Sequence, residues 1–179
     1  MAKFCLNMLE MALRLAGRDR SYQDLALKFF EHSCMIAAAL NKLWDEDEGF
    51  FYDRLRLADG SVVPVRARSM VGLLPLFTAV ALPTALWERL PDFRARARWF
   101  IAHRPQLTAS LRHFMHADRP DSVLFVNEAR LRRVLERTLD ESEFLSPHGL
   151  RSLSRHHREH PLVLQWPGGT ARLDYEPGE

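Results

Sequence analysis

The stretch from Ser21 to Leu43 constrains this chain most. Apolar side chains recur along it at helical spacing, as Leu25, Phe29, Ile36, Leu40 and Leu43. Ser21 is a candidate cap, because its hydroxyl can accept from a backbone N–H of the first turn. The pattern predicts a helix of about six turns. Ala37, Ala38 and Ala39 leave room for a second helix to approach closely. Residues 2–16 supply an earlier helix, with Phe4, Met8, Met11 and Leu15 as its apolar stripe, Arg14 in its last turn and Gly17 as its stop.

The pattern changes at Trp44. The acidic run Asp45-Glu46-Asp47-Glu48 ends at Gly49, and Phe50 to Leu57 reads as a short strand. Asp59-Gly60 is a hairpin signal. Val62-Val63-Pro64-Val65 is the return strand, with Pro64 marking an edge. Met70 to Val80 reads as a buried helix capped by Ser69 and broken at Pro75. Pro83, Pro91 and Pro105 then open successive helices reaching Leu90, His103 and about His116. Residues 117–122 are a polar loop. Val126 to Leu139 is amphipathic through Leu131, Val134, Leu135 and Leu139. After a loop over Ser146–Gly149, Leu150 to Glu159 reads as a short helix stopped by Pro161. Leu162–Trp166 and Thr170–Tyr175 form a second hairpin around Pro167-Gly168-Gly169. The reading is one mostly helical domain over residues 1–179 with two small β-hairpins. The last residues, Asp174 to Glu179, are turn-like, as if more chain should follow.

Composition narrows the function classes. At 179 residues, with 47% hydrophobic and 27% charged residues, the chain is globular rather than disordered. Lys and Arg number 25 against 23 Asp and Glu, a balance that gives no reason to expect a polyanion partner. Cys5 and Cys34 fall in apolar helical patterns and read as buried free thiols of a reducing compartment. Residues 70–82 form the longest apolar stretch, shorter than the roughly 20 residues of a membrane span. No secretion signal is evident. Cytoplasmic residence, with no membrane partner, is the expectation.

Several motifs fail on context. His156-His157-Arg158-Glu159-His160 fits H-x-x-E-H, a zinc-protease pattern. Pro161 follows at once, and no third ligand stands at a diagnostic spacing, so no metal is expected. Asp45, Asp47 and Asp53 miss the EF-hand pattern: Gly49 falls at position five instead of six, and Arg56 occupies the place of the bidentate Glu. Arg94, Arg96 and Arg98, then Arg130, Arg132 and Arg133, are interleaved with acids and read as solvated helix faces rather than a nucleic-acid surface. No phosphate-binding or dinucleotide fingerprint occurs, and no cofactor is expected.

Two segments carry more. Trp44 to Asp53 gathers a Trp, acids and three further aromatics at one loop-to-strand junction. Aromatic faces match the C–H faces of sugar rings, and carboxylates accept sugar hydroxyls. A buried aromatic cluster under a structural loop accounts for the same residues. In Arg66-Ala67-Arg68-Ser69-Met70-Val71-Gly72, a charged pair leads straight into apolar residues. Arg66 or Arg68 is either a buried partner of Asp45 or Asp53, or a ligand for a polar substrate.

Together these segments resemble the bacterial branch of glycoside hydrolase family 63, which includes mannosylglycerate hydrolase-like and oligosaccharide glucosidase-like proteins. The matching stretches run in order: Lys28–His32, Leu43–Glu46, Gly49–Asp53, Arg68–Leu76, Leu139–Ser146, Gly149–Ser154 and Asp174–Glu179. The resemblance implies a mainly α fold, a partial (α/α)6 barrel of the six-hairpin glycosidase kind. It implies inverting hydrolysis of an α-linked glucosyl or mannosyl bond by two carboxyl groups roughly 6.5–9.5 Å apart.

The family's acid lies in a motif before the part matched here, and its base is a Glu beyond it, in a region that also carries an Asn-Trp-Arg-Gly-rich segment. No residue of this chain takes either catalytic role by motif match. The expected substrate contacts are Trp44 as a stacking platform, Asp45, Asp47, Tyr52 and Asp53 around it, Arg68, and Arg151 with Ser152. The expected ligand is an oligosaccharide or glycoside, and the chain alone is expected to be inactive. The rival expectation is a non-catalytic helical interaction protein, and exposed barrel faces would favour self-association.

Overall fold

A computed structural model describes residues 1–81, 84–108 and 122–177. In chain order the elements are α1 (Ala2–Ala16), α2 (Gln23–Asn41), β1 (Trp44–Asp45), β2 (Phe50–Phe51), β3 (Asp53–Arg56), β4 (Val62–Val65), β5 (Ala79–Ala81), α3 (Thr84–Glu88), α4 (Pro91–His103), α5 (Pro105–Thr108), β6 (Ser122–Leu124), α6 (Glu128–Thr138), β7 (Leu145–Ser146), β8 (Gly149–Leu150), β9 (Leu162–Trp166) and β10 (Gly169–Leu173). Short 3-10 turns cover Arg20–Tyr22, Met70–Phe77 and Arg155–Arg158. The chain divides into two compact units, each built from two segments. One is Met1–Lys42 with Pro75–Asn127; the other is Leu43–Leu74 with Glu128–Glu179.

The first unit is a helical cluster. Leu6, Leu9, Leu13 and Ala16 of α1 pack with Ala26, Leu27, Phe30, Cys34 and Ala37 of α2, and with Phe93, Ala97 and Phe100 of α4. Phe30 meets Phe93 and Phe100 edge-on, with centroids 5.9 and 6.2 Å away. The buried Gln23 side chain accepts from the Phe93 backbone N–H at 3.2 Å, which satisfies one of the donors that a helix start leaves open. β5 pairs antiparallel with β6 at the edge of this cluster.

α1 and α2 lie where the sequence places them, but they bury different faces. Of the expected α1 stripe, Phe4, Met11 and Leu15 face outward, Phe4 68% and Met11 50% exposed, and Met8 is half-buried. On α2, Leu25 is exposed and Phe29, Ile36 and Leu40 are only half-buried. Both helices are apolar on two sides. The sides that meet carry Ala12, Ala16, Ala26, Cys34 and Ala37, and small residues let helix axes approach. Each fully buried Leu there contributes about 2 kcal/mol. The cap of this hairpin is Asp19 rather than Ser21: its carboxylate accepts from Ser21 N–H at 2.9 Å.

Both cysteines are free thiols, Cys34 buried and Cys5 partly so. Burial pushes the Cys34 thiol up to about 12. In the native protein at pH 8, a thiol reagent is therefore expected to modify Cys5 first and to reach Cys34 only on unfolding. Labelling of both at similar rates would contradict this packing.

The second unit is built from strand pairs around α6. β1 pairs with β2, β3 with β4, β7 with β8 and β9 with β10, all antiparallel. The expected hairpins at Asp59-Gly60 and Pro167-Gly168-Gly169 both form. The core is aromatic: Phe50 stacks on Phe144 at 5.8 Å, and Trp44 meets Phe51 at 4.8 Å. Gly72 lies against Phe50 and the Phe51 carbonyl, where a Cβ would have no room.

The expectation of a mainly α chain forming part of an (α/α)6 barrel does not hold. Among the described residues about half are helical and 20% lie in small antiparallel strand pairs, so the fold is mixed α and β. Among the described residues there are six α-helices, and they close no barrel. Two expected helices are also absent. Met70–Phe77 is a 3-10 turn with Leu74 and Phe77 more than half exposed, because Pro75 removes a donor inside it. Residues 150–154 run alongside 68–70 instead of coiling: Ser69 bridges Leu153, Met70 N–H donates to Ser152 O at 2.7 Å, and Ser154 N–H donates to Arg68 O at 2.8 Å. The expected helix from Pro105 to His116 is described only to Thr108; its remainder, the loop up to residue 121 and Pro83 lie outside the described residues. Among the described residues, no helix is long and apolar enough to cross a membrane.

Candidate functional site

Pairing of β1 with β2 forces a tight turn over residues 46–49. Gly49 closes it at φ +65°, donating its N–H to Asp45 O at 2.9 Å. The Asp45 carboxylate accepts from Glu48 N–H at 3.0 Å and from Arg66 at 2.9 Å. Glu48 is thereby set beside Arg68, which follows β4.

Arg68 is the hub of the second unit. Its Nη2 donates to Glu48 Oε2 and its Nη1 to Glu143 Oε1, each at 2.6 Å. Its Nε lies 3.4 Å from the Tyr52 hydroxyl. Arg137, in the last turn of α6, donates to the same Glu143 Oε1 at 2.7 Å and to Glu48 O at 2.5 Å. Ser154 Oγ donates to Glu143 Oε2. Two cations and two carboxylates alternate, and their charges cancel. The Arg68 side chain is 15% exposed and that of Glu143 11%, so these charges need their partners. The Arg68 backbone N–H donates to Nε2 of the buried His157 at 2.8 Å. His157 Nδ1–H in turn donates to His160 O at 2.9 Å, which fixes a neutral tautomer with both nitrogens engaged.

Hydrogen bonding from Arg68 holds the Glu48 carboxyl below its ordinary value of 4.5, against the opposing effect of burial. Burial pushes the Tyr52 hydroxyl up. The depressed Glu48 value means that the ionised form stabilises the fold. Its contribution is complete above about pH 4.5 and is lost as pH falls through the folded value. Urea midpoints measured from pH 6 to pH 3 are expected to fall on this limb, and less steeply in Glu48→Gln. Equal slopes for both proteins would count against the assignment.

The expected site residues separate into three groups. Tyr52 and Arg68 join the network. Trp44, 9% exposed, lies under the guanidiniums of Arg130 and Arg133 at 5.0 and 5.6 Å and is a packing residue with little surface open to a sugar. Arg151 gathers loop carbonyls, at 3.0 Å from Glu141 O and also at Leu145 O. Of the pairings expected for the two arginines, Arg66 does meet Asp45 at 2.9 Å, on the exposed surface rather than buried, while Arg68 pairs with Glu48 and Glu143 instead of Asp53. Asp47, Asp53 and Ser152 are exposed. Sequence reading missed Glu48, Arg137, Glu143, Ser154 and His157 as members of one site. Their separations from Arg68 reach 89 residues, beyond any periodic signal. The one available cue was that Glu143 and Ser154 fall inside matching stretches.

A cleft of about 390 Å³ opens beside the network, lined by Asp47, Glu48, Glu136, Arg137, Asp140 and Glu143 among others. Ser142 holds the Asp140 carboxyl low by hydrogen bonds, so it is an anion at neutral pH. Among the described residues, no cluster of His, Cys, Asp or Glu could hold a metal ion.

No family model matches the chain, and no solved structure matches it. A Saccharomyces cerevisiae protein, Uncharacterized protein YMR196W, is 35% identical over 202 aligned positions, which take in 100% of this chain and 18% of the yeast protein. The chain thus spans less than a fifth of the length of the curated relative it matches.

Proposed function

We propose that the chain is part of a carbohydrate-active protein resembling an inverting α-glycosidase, and that it contributes substrate contacts rather than proton transfer. The observation that carries this reading is convergence. Matching stretches far apart in sequence supply Tyr52, Arg68, Glu143 and Ser154 to one network, and Glu48 stands between two of them. The adjoining cleft offers Asp47, Glu136 and Asp140 as acceptors for the hydroxyls of an oligosaccharide or glycoside. A general acid needs a raised pKa. Glu48 is shifted the opposite way, and both Glu143 oxygens are engaged.

The chain alone is therefore expected to bind an α-linked glucosyl or mannosyl saccharide, to lose about tenfold in affinity in Asp47→Asn with Asp140→Asn, and to release no sugar from α-glucosides or mannosylglycerate. Robust turnover abolished by one carboxylate substitution within residues 1–179 would overturn the reading, as would failure of every such saccharide to bind.

A second reading is that of an interaction protein, and the outer face of α1 favours it. Phe4, Met8, Met11 and Leu15 repeat at alternating spacings of four and three, the spacing of a helix-pairing seam. Sedimentation would show self-association that Met11→Glu abolishes; a monomer at all concentrations would remove this reading.

A further inference from the structure

A second cleft in the same unit, of about 410 Å³, is lined by Glu143, Arg155, His156, Arg158, Glu159 and His160 among others. Its wall is the Arg155–Arg158 turn, held from beneath. Ser154 Oγ accepts from His156 N–H at 3.0 Å, and buried His157 is tied to the Arg68 backbone at 2.8 Å. A 3-10 turn has three residues per turn, so Arg155 and Arg158 stand one above the other, about 6 Å apart along the axis. Among the described residues, no carboxylate lies within 4 Å of either guanidinium. Two aligned like charges without a counter-charge repel one another, and an oxyanion relieves that.

We propose that this cleft binds a phosphate monoester through Arg155 and Arg158, with the His156 imidazole as a third donor. Guanidinium forks match phosphate oxygens in pairs. The carboxylate on the cleft floor does not oppose an anion, because Arg68, Arg137 and Ser154 already neutralise and cover Glu143. His156 reports the local field: burial, then the Arg68 charge, press its pKa down, and the Glu143 charge offsets them only in part. Glu159 is the other carboxylate in the lining, and it opposes an anion. The volume is enough for a small ligand. This site is separate from the saccharide cleft and does not rest on that reading.

The test is titration of the full chain at constant ionic strength, followed by calorimetry and by the histidine resonances in NMR. The probes are inorganic phosphate, glycerol 3-phosphate, glycerol and acetate. Saturable binding of the first two, with none for glycerol, is expected. Arg158→Gln should weaken it about tenfold, and Glu159→Gln should tighten it severalfold. Both residues are exposed, and neither forms an ion pair among the described residues, so these variants keep the fold. The proposal is overturned if phosphate does not saturate, if acetate binds as tightly, or if the double variant Arg155→Gln, Arg158→Gln binds phosphate like the wild type.

Discussion

Replacing Glu143 by alanine is expected to lower the stability of the second unit by about 4 kcal/mol, in the range measured for breaking buried ion pairs. The size follows from what is left behind. Arg68 and Arg137 both donate to one oxygen of this carboxylate, and Ser154 Oγ donates to the other. Removing it leaves two nearby guanidiniums to repel one another in a largely dry site and strips a buried hydroxyl of its acceptor. Glu143→Gln keeps an acceptor but removes the charge, and is expected to lose about half as much. Urea denaturation read on Trp fluorescence measures both. A loss under about 0.5 kcal/mol for Glu143→Ala, the size of an ordinary surface change, would show that the network contributes little.

Gly72→Ala is expected to cost about 3 kcal/mol, the upper end of core overpacking. The added Cβ would sit 2.3 Å from Phe50 Cε1 and 2.6 Å from Phe51 O. Neither neighbour can move aside cheaply. Phe50 is fully buried and stacked on Phe144, and Phe51 is paired with Trp44 across β1 and β2. Gly168→Ala is the control. That glycine has φ +94° but open space around its Cβ position, so only backbone strain of about 1 kcal/mol is expected. Similar losses at the two positions, read as midpoint shifts in the same denaturation experiment, would mean that Phe50 and the Phe51 backbone give way to the added Cβ.

Local chemistry made some elements legible. Pro91 at the first helical position predicts α4, and the helix runs from Pro91 to His103. The Gly-centred turns predict the hairpins, and Pro64 does lie in a two-stranded ribbon. Choice of face was not legible, since α1 and α2 are apolar on two sides and large side chains dominate a periodicity count. The structure instead buries the side that brings small residues together. Residues 150–154 have helical spacing, yet long-range pairing with 68–70 overrides it. The barrel expectation came from resemblance alone, and the strand pairs and the six α-helices among the described residues replace it.

The candidate site was half legible. Arg68 and the aromatic junction at 44–53 stood out by composition, and Trp44 was read as a platform because a Trp beside acids is the pattern of a sugar site. Two arginines from α6 cover its ring instead, and nothing near Trp44 in sequence announces them. A charge network assembled from positions 48, 68, 137 and 143 leaves no trace in spacing.

The central claim, that Arg68 and Glu143 join distant stretches of this chain into one energetic unit, is tested most directly by a double-mutant cycle of Arg68→Met and Glu143→Gln. Coupling of about 2 kcal/mol between the two substitutions is predicted, and losses that add to within about 0.5 kcal/mol would contradict the account.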